Sequence, residues 1–347
     1  MQIEFHRLMQ DATRMVRAGD LHAATAAIQA ALHAQPSTGS GDVGMPAAPG
    51  IVIDVEARHV ASAQPPEEGQ GLFLSERFAD ARMERDYKLY VPPQADRRPL
   101  PLVVMLHGCT QDPDDFAAGT RMNELARDEG CFVLYPAQSK SANPQRCWNW
   151  FKHTHQQRGR GEPALLAAMT RHVMERHDVD AGRVHVAGLS AGGAMAAILG
   201  DAYPDLYAAV GVHSGLASGA AKDLPSALAA MRTGAAATVG RSGPPTIVFH
   251  GDADATVHPS NGEHVISASA ARPDSVREVE RQRAPGGRNY TRRVHRLPDG
   301  SVQAELWLVH GSGHAWSGGS RQGSFTDPQG PDATREMFRF FSAHPRR

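Results

Sequence analysis

Cysteine is scarce in this sequence, because only Cys109, Cys131 and Cys147 occur among 347 residues. Three cysteines are too few for the disulfide framework of a small secreted domain, and no pair has the Cys-x-x-Cys spacing of zinc or redox sites. The 18 histidines are scattered, without a His-Glu-x-x-His motif and without clustering beside cysteine. We therefore expect no bound metal ion and no cofactor.

A charge imbalance and long apolar runs are also missing. Lys and Arg number 36 against 37 Asp and Glu, which leaves a formal net charge of −1 and gives no electrostatic case for nucleic acid. No run of 18 apolar residues is present, so we expect no membrane span. The first 20 residues lack the apolar stretch of a signal peptide, which alone predicts a cytoplasmic chain or another export route.

The composition of the chain changes twice within its first 51 residues. Residues 10–34 have apolar residues at helical spacing, so we expect residues 1–34 to form a helical extension. Its apolar face would pack on the main domain or on a second subunit, which would allow homo-oligomers through the N-terminal helices. Residues 35–50 are rich in Gly, Pro and Ser and are predicted to be a linker. Residues 51–347 are predicted to form the main domain.

Beyond the linker, strand-like and helix-like segments alternate. The run LPLVVMLHG from Leu100 and the run TIVFHG from Thr246 are nearly continuous in apolar residues, as strands covered on both faces are. Helical patterns at 163–177 and 191–204 lie between such runs. The alternation predicts an α/β fold with a doubly wound, mainly parallel sheet flanked by helices. In such sheets ligands bind beyond the carboxyl ends of the strands.

Residues suited to nucleophilic catalysis follow three of the predicted strands. Ser190 follows VHVAGL, Asp252 and Asp254 follow TIVFHG, and His314 follows ELWLVHGSG. Ser190 lies in the G-x-S-x-G motif GLSAG, a tight strand-to-helix turn that holds a serine clear of a sheet. A phosphate-binding turn is the rejected alternative, because its fingerprint needs a glycine where Ser190 stands. The order Ser, Asp, His is the order associated with this motif.

Each of these residues has a predicted role. Ser190 is the candidate nucleophile, and His314 can accept its proton near neutral pH and return it to the leaving group. Asp252 and Asp254 both remain candidates for the carboxylate that orients the imidazole. We favour Asp254 because it lies deeper in the loop, and we expect Asp252 to brace the turn. The N–H groups of Cys109 and Ala191 are candidates for an oxyanion hole.

The segment RCWNWF at 146–151 contains two of the four tryptophans and lies between polar stretches. Core packing is the usual role of aromatic side chains. Tryptophans that are exposed in loops above a sheet, however, more often form the wall of a ligand-binding groove. We therefore predict that Trp148 and Trp316 contact substrate, with Asn149 and His107 beside them.

Five motifs together resemble the poly(3-hydroxybutyrate) depolymerase family of α/β-hydrolase esterases, to which feruloyl and acetylxylan esterases are related. They are VVMLHGCTQ, CWNWF, GLSAGGAM, HGDADATVHP and GHAWSGG, between Tyr87 and the C-terminus. The resemblance implies an α/β-hydrolase catalytic domain with Ser190, Asp254 and His314 as its triad and the Cys109 and Ala191 amides as its oxyanion hole. It also implies a Cys109–Cys147 disulfide, which would leave Cys131 as a buried thiol, and an extracellular location.

The implied activity is hydrolysis of ester bonds in short-chain poly(3-hydroxyalkanoates) such as poly(3-hydroxybutyrate), or in their oligomers. A feruloyl or acetylxylan esterase is the alternative enzyme. A non-catalytic polymer-binding module is the alternative from another class, and the intact set of Ser, Asp and His argues against it. The expected partner is a polyester or a small ester substrate.

Overall fold

The computed structural model describes residues 69–79, 84–235, 243–269 and 276–346. The predicted helical extension at 1–34 and the predicted linker at 35–50 lie outside the described residues. In the part of the chain that is described, no helix has the length and apolar character needed to cross a membrane.

Ten strands form one mixed sheet, and two short strands pair separately. In chain order they are β1 Leu72–Ala79, β2 Glu84–Val91, β3 Leu100–Leu106, β4 Phe132–Pro136, β5 Val179–Leu189, β6 Ala209–His213, β7 Thr246–Gly251, β8 Val276–Arg283, β9 Asn289–Arg296, β10 Val302–Val309, β11 Trp316–Ser317 and β12 Thr326–Asp327. The large sheet has the order β1-β2-β4-β3-β5-β6-β7-β10-β9-β8. Its six central strands, β4 to β10 in that order, are parallel, and the two strands at each end are antiparallel.

Helices cover both faces of the sheet, which confirms the predicted doubly wound α/β class. They are α1 Pro113–Thr120, α2 Met122–Glu129, α3 Gly161–Arg176, α4 Ala191–Ala202, α5 Leu224–Thr233, α6 Ser260–Ser269 and α7 Ala333–Ser342, with a 3-10 turn at His153–His155. Because side chains alternate along a strand, β3 contributes to two cores. Leu102 and Val104 pack in the core beside α3 and α4, whereas Val103 packs in the core beside α1, α2 and α7.

The outer strands β1, β8 and β9 were not predicted from the sequence. β8 reads VREVERQR and β1 reads LFLSERFA, and both lie at the edges of the sheet. Charged side chains are expected on edge strands, since they oppose pairing with other chains, but they hide the apolar alternation that identifies a strand. The central strands β3, β4, β6 and β7 carry no Asp, Glu, Lys or Arg, and β5 and β10 carry theirs outside their longest apolar runs. They were therefore the ones that the sequence pattern revealed.

Candidate active site

Ser190 occupies the turn between β5 and α4. Its backbone lies at φ 58°, ψ −120°, a region that non-glycine residues avoid. A Cβ atom at Gly188 would lie 2.4 Å from the Gly192 carbonyl carbon, and one at Gly192 would lie 2.0 Å from the Leu106 carbonyl oxygen. Only glycine fits at either position. The turn is therefore packed directly against the end of β3, and Ser190 stands at the carboxyl ends of the central strands.

His314 and Asp254 form a hydrogen-bonded pair at the same edge of the sheet. His314 Nδ1 lies 2.7 Å from Asp254 Oδ2, and the carboxylate is fully buried while the imidazole side chain is 12% exposed. Because a carboxylate accepts, Nδ1 carries the proton. This arrangement leaves His314 Nε2 with a lone pair, which is the protonation state that a general base needs.

Asp254 is held as an anion by its surroundings. Burial opposes ionisation, but hydrogen bonds from His250 and His314 and from the Val257 N–H outweigh it and hold the pKa of Asp254 far below its usual range. The Thr256 and Val257 N–H groups each donate to Oδ1 at 2.9 Å. His250 Nε2 donates to the Val257 carbonyl at 2.8 Å and lies 3.4 Å from Asp254 Oδ2.

The Asp252 carboxylate has other partners, His310 and Gly311. Its Oδ2 lies 2.8 Å from His310 Nδ1, and its Oδ1 accepts from the Gly311 N–H at 2.6 Å. The far nitrogen of His310 lies 2.9 Å from the Thr291 hydroxyl oxygen. Asp252 therefore ties the loop after β7 to the start of the loop that carries His314. This is the bracing role that the sequence predicted for it.

His213, the last residue of β6, connects the serine turn to the histidine loop. Its carbonyl oxygen accepts from the Ser190 N–H at 2.9 Å, and its ring Nε2 accepts from the Ser317 N–H at 2.9 Å. Its ring stacks between Phe249 and Trp316. Burial, with the nearby imidazoles, holds the pKa of His213 well below its usual range, so the ring stays neutral and can accept at Nε2.

Cys109 and Cys147 are joined by a disulfide, and Cys131 is a buried free thiol, as the resemblance implied. The bond links the loop after β3 to the segment that begins CWNW. A second contact next to it runs from the Thr110 N–H to the Gln145 carbonyl at 2.7 Å. Ala191 is the first residue of α4, where N–H groups have no acceptor within the helix.

The prediction that the two tryptophans are exposed is wrong. Trp148 has no accessible surface and Trp316 has 1%. Trp148 Nε1 donates to the His107 carbonyl at 3.1 Å, and Trp316 Nε1 donates to the Thr334 hydroxyl at 3.0 Å. The indole rings pack between segments that are distant in sequence. Their burial could therefore not be predicted from the polarity of the loops in which they lie.

The other two predicted substrate residues, His107 and Asn149, are also buried, at 1% and 2% exposure. His107 Nε2 accepts from the Gln138 N–H at 3.1 Å, which places the ring proton on Nδ1, where it is donated to the Gly108 carbonyl at 2.8 Å. Burial lowers the pKa of His107 from 6.5 to about 4. These contacts support the loop, and they leave little surface for a substrate.

Glu162, in the first turn of α3, binds the CWNW segment through hydrogen bonds to its carboxylate. The carboxylate accepts from the Asn149 N–H at 2.7 Å and from the side chains of Asn149 and Gln138, each at 2.6 Å. Burial opposes ionisation, but hydrogen bonds from His155, Gln138 and Asn149 outweigh it and lower the pKa of Glu162. Gln138 also donates to the Cys147 carbonyl at 2.9 Å. A buried anion therefore fixes the segment bearing the disulfide.

Sequence reasoning missed three of these supporting residues. His250 lies in the predicted strand TIVFHG, and His213 ends the apolar run AAVGVH, so the rule that found Ser190 also marked their positions. Glu162 gave no such signal, since an acidic residue in the first turn of a helix is ordinary. Within the described ranges, no group of three or more His, Cys, Asp or Glu side chains is arranged to hold a metal ion.

The central parallel sheet, the serine turn after β5, the carboxylate after β7 and the imidazole after β10 define an α/β-hydrolase. The sequence model of the Esterase PHB depolymerase family matches residues 85–284, more than half of the chain. The chain belongs to this family.

Two curated relatives and one solved structure illustrate the similarity. Poly(3-hydroxyalkanoate) depolymerase C of Paucimonas lemoignei is 30% identical over 228 residues, which cover 62% of this chain and 54% of that protein. Feruloyl esterase B of Thermothelomyces thermophilus is 28% identical over 260 residues, 68% of this chain and 86% of that one. The chain thus spans about half the length of the first relative.

The acetyl xylan esterase from Aspergillus awamori superposes with a TM-score of 0.62 at 20% identity, over 79% of this chain and all of that one. At this identity the match shows the fold, and it agrees with the sheet and helix arrangement described above.

Proposed function

We propose that this protein is a serine esterase that cleaves the ester bonds of short-chain poly(3-hydroxyalkanoates), such as poly(3-hydroxybutyrate), or of their oligomers. The observation that carries the proposal is the 2.7 Å His314–Asp254 pair at the sheet edge where Ser190 is held at φ 58°. The substrate class rests on the family and on the 30% identity to a poly(3-hydroxyalkanoate) depolymerase.

In the proposed mechanism, Ser190 Oγ attacks the ester carbonyl carbon while His314 Nε2 takes the hydroxyl proton. The carbonyl oxygen becomes an oxyanion, which the Cys109 and Ala191 N–H groups stabilise. Collapse of this intermediate breaks the bond to the alcohol, which leaves with the proton from His314. Water, deprotonated by the same nitrogen, then attacks the acyl-enzyme and releases the acid and free Ser190.

Replacement of the nucleophile tests the mechanism. Ser190→Ala should lower kcat for p-nitrophenyl butyrate by a factor on the order of 10⁶, because no oxygen remains to form the acyl-enzyme. Ser267→Ala is a matched control, since Ser267 is an exposed residue of α6. Turnover by Ser190→Ala at the wild-type rate would exclude this mechanism.

A feruloyl or acetylxylan esterase is the second candidate. It is favoured by the alignment with feruloyl esterase B, which covers 86% of that protein, against 54% of the depolymerase. Initial rates with hydroxybutyrate trimer, methyl ferulate and acetylated xylan at equal ester concentration separate the two. The first proposal expects the highest kcat/KM with the hydroxybutyrate trimer. A higher kcat/KM with methyl ferulate or acetylated xylan would decide for the second.

We also propose that the protein functions in an oxidising, extracellular setting. The Cys109–Cys147 disulfide supports this location, because such bonds persist outside the cytosol and are rare within it. Fractionation of the producing cells, followed by immunodetection, tests it. Recovery of the protein in the medium or the cell envelope is expected, and recovery in the cytosol with three free thiols would refute it.

A further inference from the structure

Phe325 is an exposed aromatic residue in an unfavourable backbone conformation. It is 46% exposed, and its φ is +52°. A positive φ brings Cβ close to the backbone, so bulky residues seldom adopt it outside turns and strained sites. An exposed apolar ring gains little from burial that could offset this strain. The conformation must therefore be imposed by the neighbouring residues.

Hydrogen bonds on both sides of Phe325 fix this backbone conformation. On one side the Ser324 N–H donates to Asp115 Oδ1 at 2.7 Å, and the Ser324 carbonyl accepts from Gln111 Nε2 at 3.2 Å. On the other side the Phe325 carbonyl accepts from the Trp316 N–H at 2.7 Å. The ring is thus exposed on a fixed backbone. Strain that the surrounding structure over-determines in this way is concentrated at active sites and ligand clamps.

These same contacts join the Phe325 segment to both loops that carry the proposed catalytic groups. Gln111 Oε1 accepts from the Gly108 N–H at 2.9 Å, next to the proposed oxyanion donor Cys109. Trp316 follows His314 by two positions on the loop of the proposed base. Phe325 therefore bonds directly to the loop of the proposed base, and its neighbour Ser324 bonds to the loop of the proposed oxyanion donor.

The other exposed large apolar residues among those described are Leu72, Phe73 and Val279. They lie on β1 and β8, the two edges of the large sheet. Of this exposed set, Phe325 is the one connected to the loops that carry the candidate catalytic groups.

We propose that Phe325 is a specificity-determining residue, whose ring packs against the apolar part of the ester beside the scissile bond. This inference rests on the proposed esterase function. A rigid aromatic ring loses little conformational entropy when it binds, and its contact area grows with the apolar size of the substrate. Trp148 and Trp316, being buried, cannot make this contact. The ring therefore favours larger acyl or alcohol groups over acetate and methanol.

The test compares Phe325→Ala with Phe73→Ala, which removes a similarly exposed phenylalanine from β1. kcat/KM is measured for p-nitrophenyl acetate, butyrate and hexanoate, and for methyl and naphthyl acetate. Phe325→Ala should lower kcat/KM about tenfold for p-nitrophenyl hexanoate and for naphthyl acetate, which is the range expected for a lost apolar contact in a pocket. It should lower kcat/KM less than twofold for p-nitrophenyl acetate and for methyl acetate, the smallest ester of each series. Phe73→Ala should show the wild-type profile.

A second variant separates specificity from folding. Phe325→Gly should show the same loss of size preference and should unfold at a higher urea concentration than Phe325→Ala, because glycine accepts the positive φ. The role of Phe325 would be overturned if both variants kept the wild-type dependence of kcat/KM on ester size, or if they lost activity equally with every ester. In either case, hydrolysis of these esters by the wild-type protein would still support the proposed esterase function. A wild-type protein that hydrolyses none of these esters would overturn both.

Discussion

Three buried histidines predict that this protein loses stability in mild acid. His107 follows β3, His185 lies within β5 and His213 ends β6, and each is 1% exposed. Burial lowers the pKa of His107 from 6.5 to about 4 and that of His185 to about 3, and it holds the pKa of His213 well below 6.5. The folded protein therefore keeps all three rings neutral at a pH at which the unfolded chain protonates them.

The sign of the effect follows from this difference. A histidine in the unfolded chain titrates near pH 6.5, so below that pH the unfolded state binds protons that the folded state excludes. The free energy of unfolding therefore falls as the pH decreases from about 7 towards the folded-state pKa near 4. From pH 7.5 to pH 5.5 each such histidine costs about 1.4 kcal/mol, and three cost about 4 kcal/mol. This is a large part of the roughly 5–15 kcal/mol that stabilises a typical domain.

Urea unfolding at pH 7.5 and pH 5.5, followed by circular dichroism, measures the loss. His185→Gln removes one titrating group and should reduce the difference between the two pH values by about 1.4 kcal/mol, whatever the substitution does to stability at pH 7.5. His153→Gln is the control, since His153 is exposed. The reasoning is refuted if wild type has the same unfolding free energy at both pH values. It is also refuted if His185→Gln retains the full decrease.

Three further predictions concern the site and its support. Asp254→Asn should lower kcat about 10⁴-fold in the ester assay by favouring the wrong imidazole tautomer, whereas Asp252→Asn should cost much less; reversed effects would transfer the acid role to Asp252. Glu162→Gln should lower the urea-unfolding free energy by about 2 kcal/mol, because it places an amide among buried donors, while Glu124→Gln on the surface should change it by less than about 0.5 kcal/mol. Equal effects of the two would contradict this. Thiol titration of the unfolded, non-reduced protein should find one free thiol, that of Cys131, and three would refute the disulfide.

The sequence located the candidate catalytic groups because the rule that finds them is local. A parallel strand ends where its apolar run ends, and the next residues face the ligand edge. Ser190, Asp254 and His314 all follow such runs, and the structure brings Asp254 and His314 into hydrogen-bond contact. The choice between Asp252 and Asp254 was harder, because both follow the same strand and only the tertiary contacts separate them.

The burial of Trp148 and Trp316 could not be predicted in the same way. Each indole N–H finds its acceptor far along the chain, at His107 and at Thr334. The burial of a side chain depends on what packs over it, and local polarity says little about segments that are distant in sequence. Phe325, the exposed aromatic residue connected to both loops, likewise lies in a stretch with no strand or helix periodicity.

The Cys109–Cys147 bond makes part of the chain a closed covalent ring. The bridge spans a sequence separation of 38 residues and encloses α1, α2 and β4. A pulling force applied to the two ends of the chain passes through the sulfur atoms and bypasses this ring. At about 3.5 Å per extended residue, the residues inside the ring correspond to roughly 130 Å of chain. The force cannot extend this part of the chain until the disulfide is reduced. The length to which the protein can be stretched therefore depends on whether this disulfide is oxidised or reduced.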